Sequence, residues 1–175
     1  MARISLTKNE LKNQREALAR YRRFLPTLQL KKQQLQSEVH STRAELEKNR
    51  QDQEKLHQDL EPWIGLFAEA TDIRDLIRIK EVRSRWENIM GVEVPALDSV
   101  EFENLVPDLW STPPWIDEGI ARVRDMARMN IAHDILTTRL DKLQKELRLT
   151  TQRVNLFEQV KIPECLEAIR QIQIV

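Results

Sequence analysis

At 175 residues, with 32% charged side chains and 5% aromatic ones, the chain has little with which to fill a compact globular core, and an elongated form fits it better. A formal net charge of zero announces neither a nucleic-acid binder nor an acidic tail. The charge is nevertheless polarised, since residues 1–60 carry 13 Lys/Arg against 8 Asp/Glu and residues 61–115 carry 5 against 11.

The first segment, residues 1–61, reads as one helix with an explicit start. Thr7 and Glu10 form a capping box, and Leu6 with Leu11 the flanking hydrophobic staple. From there the pattern predicts helix to about Leu60, before Pro62. Leu11, Leu18, Tyr21, Leu25, Leu28, Leu35, Val39, Leu46, Leu56 and Leu60 follow one another mostly at spacings of three, four or seven. Such a narrow stripe is the mark of a coiled coil rather than of a helix on a globular core. Lys32, Thr42, Asn49 and Gln53 fall on the same seam, where polar residues lower stability but can set register. Pro26 removes a backbone hydrogen bond and clashes with the Arg22 carbonyl, yet the heptad phase passes from Leu25 to Leu28 unbroken. A kink is therefore expected there, the alternative being two shorter helices that meet at Pro26.

Residues 62–110 read differently. Trp63, Ile64, Leu66, Phe67 and Ala70 suit a short helix, after which Ile77, Ile79, Val82 and Trp86 become β-like. Val92 and Val94 alternate with polar neighbours, so a turn around Arg85 to Asn88 would make a hairpin whose second strand ends at Pro95. A lone two-stranded hairpin is marginal and should pack on the helices or on a partner. Trp63, Trp110 and Trp115 are expected to pack where the helices are joined, leaving Trp86 as the contact aromatic.

The third segment, residues 111–175, opens at Ser111–Thr112–Pro113–Pro114, a hydroxyl cap followed by prolines suited to a first turn. Its stripe comprises Ile116, Ile120, Val123, Ile131, Leu136, Leu140, Leu143, Leu147, Val154 and Phe157, then Ile162, Leu166, Ile169 and Ile172. The five-residue step from Phe157 to Ile162 coincides with Pro163, and a bend or change of supercoil is expected there. No stop signal precedes Val175. The two long helices would each span roughly 80–90 Å, and their matched lengths favour an antiparallel hairpin over a parallel homodimer. Residues whose numbers sum to roughly 176 should then face one another. The fold class is mainly α: a long antiparallel two-helix coiled coil with a short central helix and a β-hairpin.

Little of the sequence suggests catalysis. Three glycines, Gly65, Gly91 and Gly119, exclude a phosphate-cradling loop and a dinucleotide fingerprint. His40, His57 and His133 lie far apart, without metal-ligand spacing, and read as helix-surface or seam residues. Neither a cofactor nor a metal is expected. Cys165, the single cysteine, has no evident base, excludes an internal disulfide and reads as a small buried residue suited to a reducing cytosol. Met1–Ala2–Arg3–Ile4 leads into a charged helix rather than a signal peptide. No run approaches the roughly 18 apolar residues of a membrane span, so membrane association would go through a partner.

The strongest charge feature is Lys8, Lys12, Arg15, Arg20, Arg22, Arg23, Lys31 and Lys32. It reads either as a solvated coiled-coil flank or as a face that meets a partner electrostatically, with Lys8, Lys12, Arg15 and Arg20 as the contact candidates. A nucleic-acid role is the weaker reading, because no aromatic platform is interleaved.

Four motifs in order carry a resemblance. They are Leu6–Thr7–Lys8–Asn9–Glu10–Leu11, the segment Leu28 to Leu35, the run Asn88–Ile89–Met90–Gly91–Val92–Glu93–Val94–Pro95, and Arg153–Val154–Asn155 through Ile162–Pro163. Together they resemble the D subunits of V/A-type rotary ATPases over nearly the whole chain. The resemblance implies a non-catalytic central rotor whose two termini point into a catalytic hexamer of A and B subunits and whose hairpin lies toward the membrane ring. It also implies an F subunit on the side of the shaft, a C subunit as adaptor at the membrane-facing end, and a cytoplasmic, peripherally membrane-associated location. Members of the family usually continue the last helix further. Trp86, Met90, Gly91 and Val92 become interface candidates beside the basic face. The rival readings are a cytosolic coiled-coil scaffold or tether and, less well supported, a basic helical nucleic-acid-binding protein.

Overall fold

The computed structural model describes residues 7–69, 77–104 and 113–174. In chain order these form helix α1 (Lys8–Leu60), a 3-10 turn (Glu61–Trp63), α2 (Ile64–Glu69), strands β1 (Ile79–Ile89) and β2 (Val92–Phe102), α3 (Ile116–Asn155), a π turn (Leu156–Lys161) and α4 (Ile162–Ile174). Two compact units result: Met1–Glu38 with Leu143–Val175, and Val39–Lys142.

Helix α1 opens with the Thr7 half of the expected capping box, while the Glu10 carboxylate turns to Gln14 rather than back to the Thr7 N–H. The Thr7 hydroxyl accepts from the Glu10 backbone N–H at 3.2 Å, while the Glu10 carboxylate accepts from Gln14 Nε2 at 2.7 Å. Leu6, half of the expected staple, lies outside the described residues. The helix continues through Pro26 to Leu60, so the alternative of two shorter helices does not hold. Pro26 is exposed, and water can serve the Arg22 carbonyl that lost its amide partner, while Leu25 and Leu28 keep the seam half-buried on either side. Leu18, Leu35 and Val39 are buried, and the polar seam positions follow the same stripe: Thr42 is 1% exposed, and Lys32, Asn49 and Gln53 are half-buried.

Within each unit the two helical segments run antiparallel. In the first, Tyr21 meets Phe157 and Lys31 Nζ reaches Glu146 Oε1 at 2.6 Å. In the second, Asn49 meets Met129, and Asp59 stands 3.9 Å from Arg122. Pairing falls within a few residues of the expected complement, and it joins segments of one chain. Ile116, Ile120, Leu143 and Val154 supply the buried stripe of α3.

The C-terminal segment departs from expectation at its start and in the residues buried beyond its turn, and the expected irregularity near Pro163 takes a specific form. Helix α3 opens at Ile116, its N–H bonded to the Pro113 carbonyl, so the prolines precede the first helical turn; Ser111 and Thr112 lie outside the described residues. The five-residue step becomes a π turn, in which the Ile162 N–H bonds five residues back to the Phe157 carbonyl. That wider turn accommodates Pro163, which can donate no amide and would crowd the Gln159 carbonyl of a regular helix. Beyond it the buried positions are Cys165 and Ala168, whereas Leu166, expected in the stripe, is 43% exposed. Adjacent residues differ by about 100° around a helix, so Cys165 and Leu166 cannot share its inner face. The Cys165 thiol is pushed up by burial, which suits a packing role.

Candidate partner interface

The hairpin extends farther than its sequence suggested, and its turn lies elsewhere. The strands pair from Ile79 with Phe102 to Ile89 with Val92, leaving Met90 and Gly91 as a two-residue turn. The turn is therefore not at Arg85 to Asn88, and Ile77 precedes the strand. Both turn residues have positive φ, 51° at Met90 and 84° at Gly91, as the mirror-image turns of tight hairpins require. The Asn88 side-chain oxygen accepts the Gly91 N–H at 3.0 Å and stabilises this backbone. Pro95 does not end the strand; it pairs with Trp86 in mid-ribbon. Counting from the two-residue turn, Ile89 and Val92 form a hydrogen-bonded pair, and alternation puts Trp86 and Pro95 at a non-hydrogen-bonded one. The missing amide of Pro95 thus costs no ladder bond.

Helix α3 holds this ribbon along its length. Near the base, Arg124 and Arg128 stand over the Phe102 ring with guanidinium carbons 5.3 and 5.0 Å from its centroid, and Arg124 Nη2 donates to the Glu103 carbonyl at 3.1 Å. Toward the turn, Arg139 meets Glu87 at 3.2 Å, and Lys142 donates to the Glu93 carbonyl at 3.1 Å while sitting 4.5 Å from the Trp86 centroid. Val94 is wholly buried. Strand β1 also carries an ion-pair network: Arg83 with Glu81 at 3.0 Å and Glu101 at 3.3 Å, and Arg85 with Glu87 at 2.8 Å and with Asp98. The Arg83 guanidinium holds the Glu81 carboxyl below its usual range, and Arg85, with Arg139, does the same to Glu87.

Among the charged residues exposed on the ribbon, four apolar side chains are also uncovered. Ile79, Val82, Trp86 and Met90 are 38–62% exposed, with Trp86 the most. Of the interface candidates in this region, Trp86 is the exposed aromatic, Met90 and Gly91 form the turn, and Val92 is half-buried beside it. Reading the sequence missed Arg124, Arg128, Arg139 and Lys142; the spacings of four within the first two and three within the last two, on one helix, were the available signal. The expected aromatic junction exists in part: Trp115 meets Trp63 at 6.4 Å and Phe67 at 5.5 Å, while Trp110 lies outside the described residues. A side chain at Gly119 would come within 3.1–3.2 Å of the Phe67 and Trp115 rings, a close approach that only glycine allows without rearrangement.

The basic face of α1 divides. Lys8, Lys12, Arg15 and Arg20 are all exposed, Lys12 with a loose ion pair to Glu16 at 3.9 Å. At about 100° per residue, Lys8, Lys12 and Arg15 share one face, and Arg22 returns to it, whereas Arg20 is turned about a third of a circle away. Lys31 is tied to Glu146, and Lys32 lies half-buried on the seam. Among the described residues no cluster of three His, Cys, Asp or Glu side chains is placed to hold a metal ion, and no helix is long and apolar enough to cross a membrane.

Comparison with known proteins fits this geometry. The family model for the ATP synthase D subunit matches residues 10–175. The chain belongs to that family. The V-type ATP synthase D subunit of Borreliella burgdorferi is 41% identical over 174 residues, covering 99% of this chain and 86% of the relative. D subunits of the same description from Chlamydia pneumoniae and Chlamydia muridarum are 31% and 36% identical, covering 98% and 99% of this chain and 83% and 87% of theirs. The family match takes in the hairpin, the π turn and three of the four basic candidates, Lys12, Arg15 and Arg20; Lys8 precedes it.

Proposed function

We propose that this chain is the central-stalk rotor of a V/A-type ATPase or ATP synthase, coupling ATP hydrolysis or synthesis in a catalytic hexamer of A and B subunits to rotation of the membrane ring and ion transport. The observation that carries the reading is the family match across residues 10–175, on a chain whose helices pair antiparallel in both units. ATP chemistry belongs to the partner proteins in this reading, and the chain is cytoplasmic and attached to the membrane only through the complex. A helix pair suits torque because axial hydrogen bonds and a continuous side-chain seam resist deformation. Its charged flanks suit sliding past several catalytic interfaces without a deep energy trap, since exposed ion pairs are individually weak. Coupling further requires that each rotor angle bind the hexamer's open and closed interfaces unequally. The F subunit is assigned to the side of the helices and the C subunit to the membrane-facing end, with the exposed row Ile79, Val82, Trp86 and Met90 as a contact surface.

The test is a reconstituted hexamer with the F subunit and a bead coupled through biotin at Met90→Cys in a Cys165→Ala background. ATP should drive stepwise bead rotation. A bead that stays still while the same complexes hydrolyse ATP would refute the rotor reading.

A further inference from the structure

In the unit formed by Met1–Glu38 and Leu143–Val175, the apolar seam repeats itself: Leu18 and Leu25, like Leu28 and Leu35, stand one heptad apart. Sliding α1 by one heptad, about 10 Å along the axis, therefore returns apolar side chains to apolar side chains. Backbone groups recur at every residue and cannot tell such settings apart. A pair of side chains can, provided that the residues one heptad away on the opposing helix differ in kind.

Lys31 Nζ meets Glu146 Oε1 at 2.6 Å, with the two side chains only 24% and 23% exposed. One heptad to either side of Glu146 stand Arg139 and Arg153. A slip in either direction thus replaces the opposite charge beside the Lys31 ammonium with a like one, at a place sheltered enough from water for the difference to survive screening. Arg139 already holds Glu87, so the setting that brings Arg153 to Lys31 is the more strongly excluded. Asp59 with Arg122 discriminates less: they are 3.9 Å apart, Asp59 is 68% exposed, and the residues one heptad from Arg122 are the uncharged Trp115 and Met129. Tyr21 adds to the selection, because a slip exchanges its Phe157 ring for Thr150 or Glu164. We infer that the Lys31–Glu146 pair, with Arg139 and Arg153 on either side of it, sets the axial register of α1 against α3 by attraction in the observed setting and repulsion in its heptad neighbours. The inference concerns the fold and stands whether or not the rotor reading does.

The experiment uses the full chain with Cys165→Ala and spin labels on cysteines at Ser37 and Arg170, both exposed, in this unit and well separated along the axis. Pulsed electron resonance on the parent should give one inter-label distance. Glu146→Arg with Arg153→Glu keeps the net charge and moves the acidic partner one heptad along α3. Lys31 should follow it, which brings Ser37 nearer to Arg170 and adds a population shorter by about 10 Å. Lys31→Glu should also add a displaced population, because the new carboxylate meets Glu146 in the observed setting and an arginine one heptad away. The parental distance alone in either variant, with helicity by circular dichroism retained, overturns the inference. So does a longer distance in the exchanged pair. If Lys31→Glu loses its helicity, the exchanged pair decides alone, since it leaves α1 untouched.

Discussion

The rings of Tyr21 on α1 and Phe157 in the π turn stand 4.9 Å apart at an interplanar angle of 57°. Phe157 is also the residue whose carbonyl receives the five-residue bond from Ile162, so this contact sits where the regular helical ladder is interrupted. Side-chain packing supports the helix where its backbone pattern changes. Truncating either ring to alanine should cost about 1–2 kcal/mol, less than for fully buried aromatics because both are half-buried. A double-mutant cycle by urea denaturation should give a coupling of about 0.5–1.5 kcal/mol. Strict additivity would mean that the rings merely lie near one another.

Thr150 lies on the inner face of α3, 1% exposed, and its hydroxyl has no hydrogen-bond partner. Valine has nearly the same shape without the hydroxyl. Thr150→Val should therefore stabilise the chain by about 1 kcal/mol, read as a thermal midpoint higher by about 2–4 °C. A fall in midpoint would mean that the hydroxyl is satisfied in solution.

The hairpin network predicts a direction with pH. Glu81 and Glu87 are held below the usual carboxylate value of 4.5, chiefly by hydrogen bonds from Arg83 and Arg85 respectively. A carboxylate depressed in the folded state contributes stability above its unfolded value and loses that contribution as pH falls through the folded one. The ribbon should therefore keep its ion pairs at neutral pH and loosen only below pH 4.5. The indole resonance of Trp86, assigned with Trp86→Phe, should stay constant above that value and shift below it. In Arg83→Gln with Arg85→Gln the shift should begin at higher pH; an identical titration in both proteins would show that the guanidiniums do not set it.

Geometry also separates the basic residues of α1. Under the proposed function, replacing Lys8, Lys12 and Arg15 with Gln should weaken binding to the A/B hexamer at low salt and flatten its salt dependence, because exposed charges act through screened long-range attraction. Arg20→Gln, turned away from that face, should leave the salt dependence close to that of the parent. Helicity by circular dichroism should survive in both, since Gln is nearly as good a helix former as Lys or Arg. Unchanged low-salt affinity in the triple variant would identify the face as merely solvated.

Features that repeat locally were legible in the residues themselves. The Thr7 cap, the end of α1 before Pro62, the seam through Leu18, Leu35 and Val39 with Thr42 among them, and the burial of Cys165 follow from helix periodicity and capping chemistry acting within a few residues. The tertiary structure decided whatever depends on pairing between distant segments. The turn settled at Met90–Gly91 and Pro95 entered the strand because strand register, a relation between two segments, chose which residues face one another. The hairpin rests on Arg124, Arg128, Arg139 and Lys142 because a basic helix face becomes a clamp only once Phe102, Trp86 and Glu87 are brought to it. Asn49 and Gln53 stood out on the seam as polar residues, but their hold on Met129 and Asn130 appeared only when the opposing helix took its place.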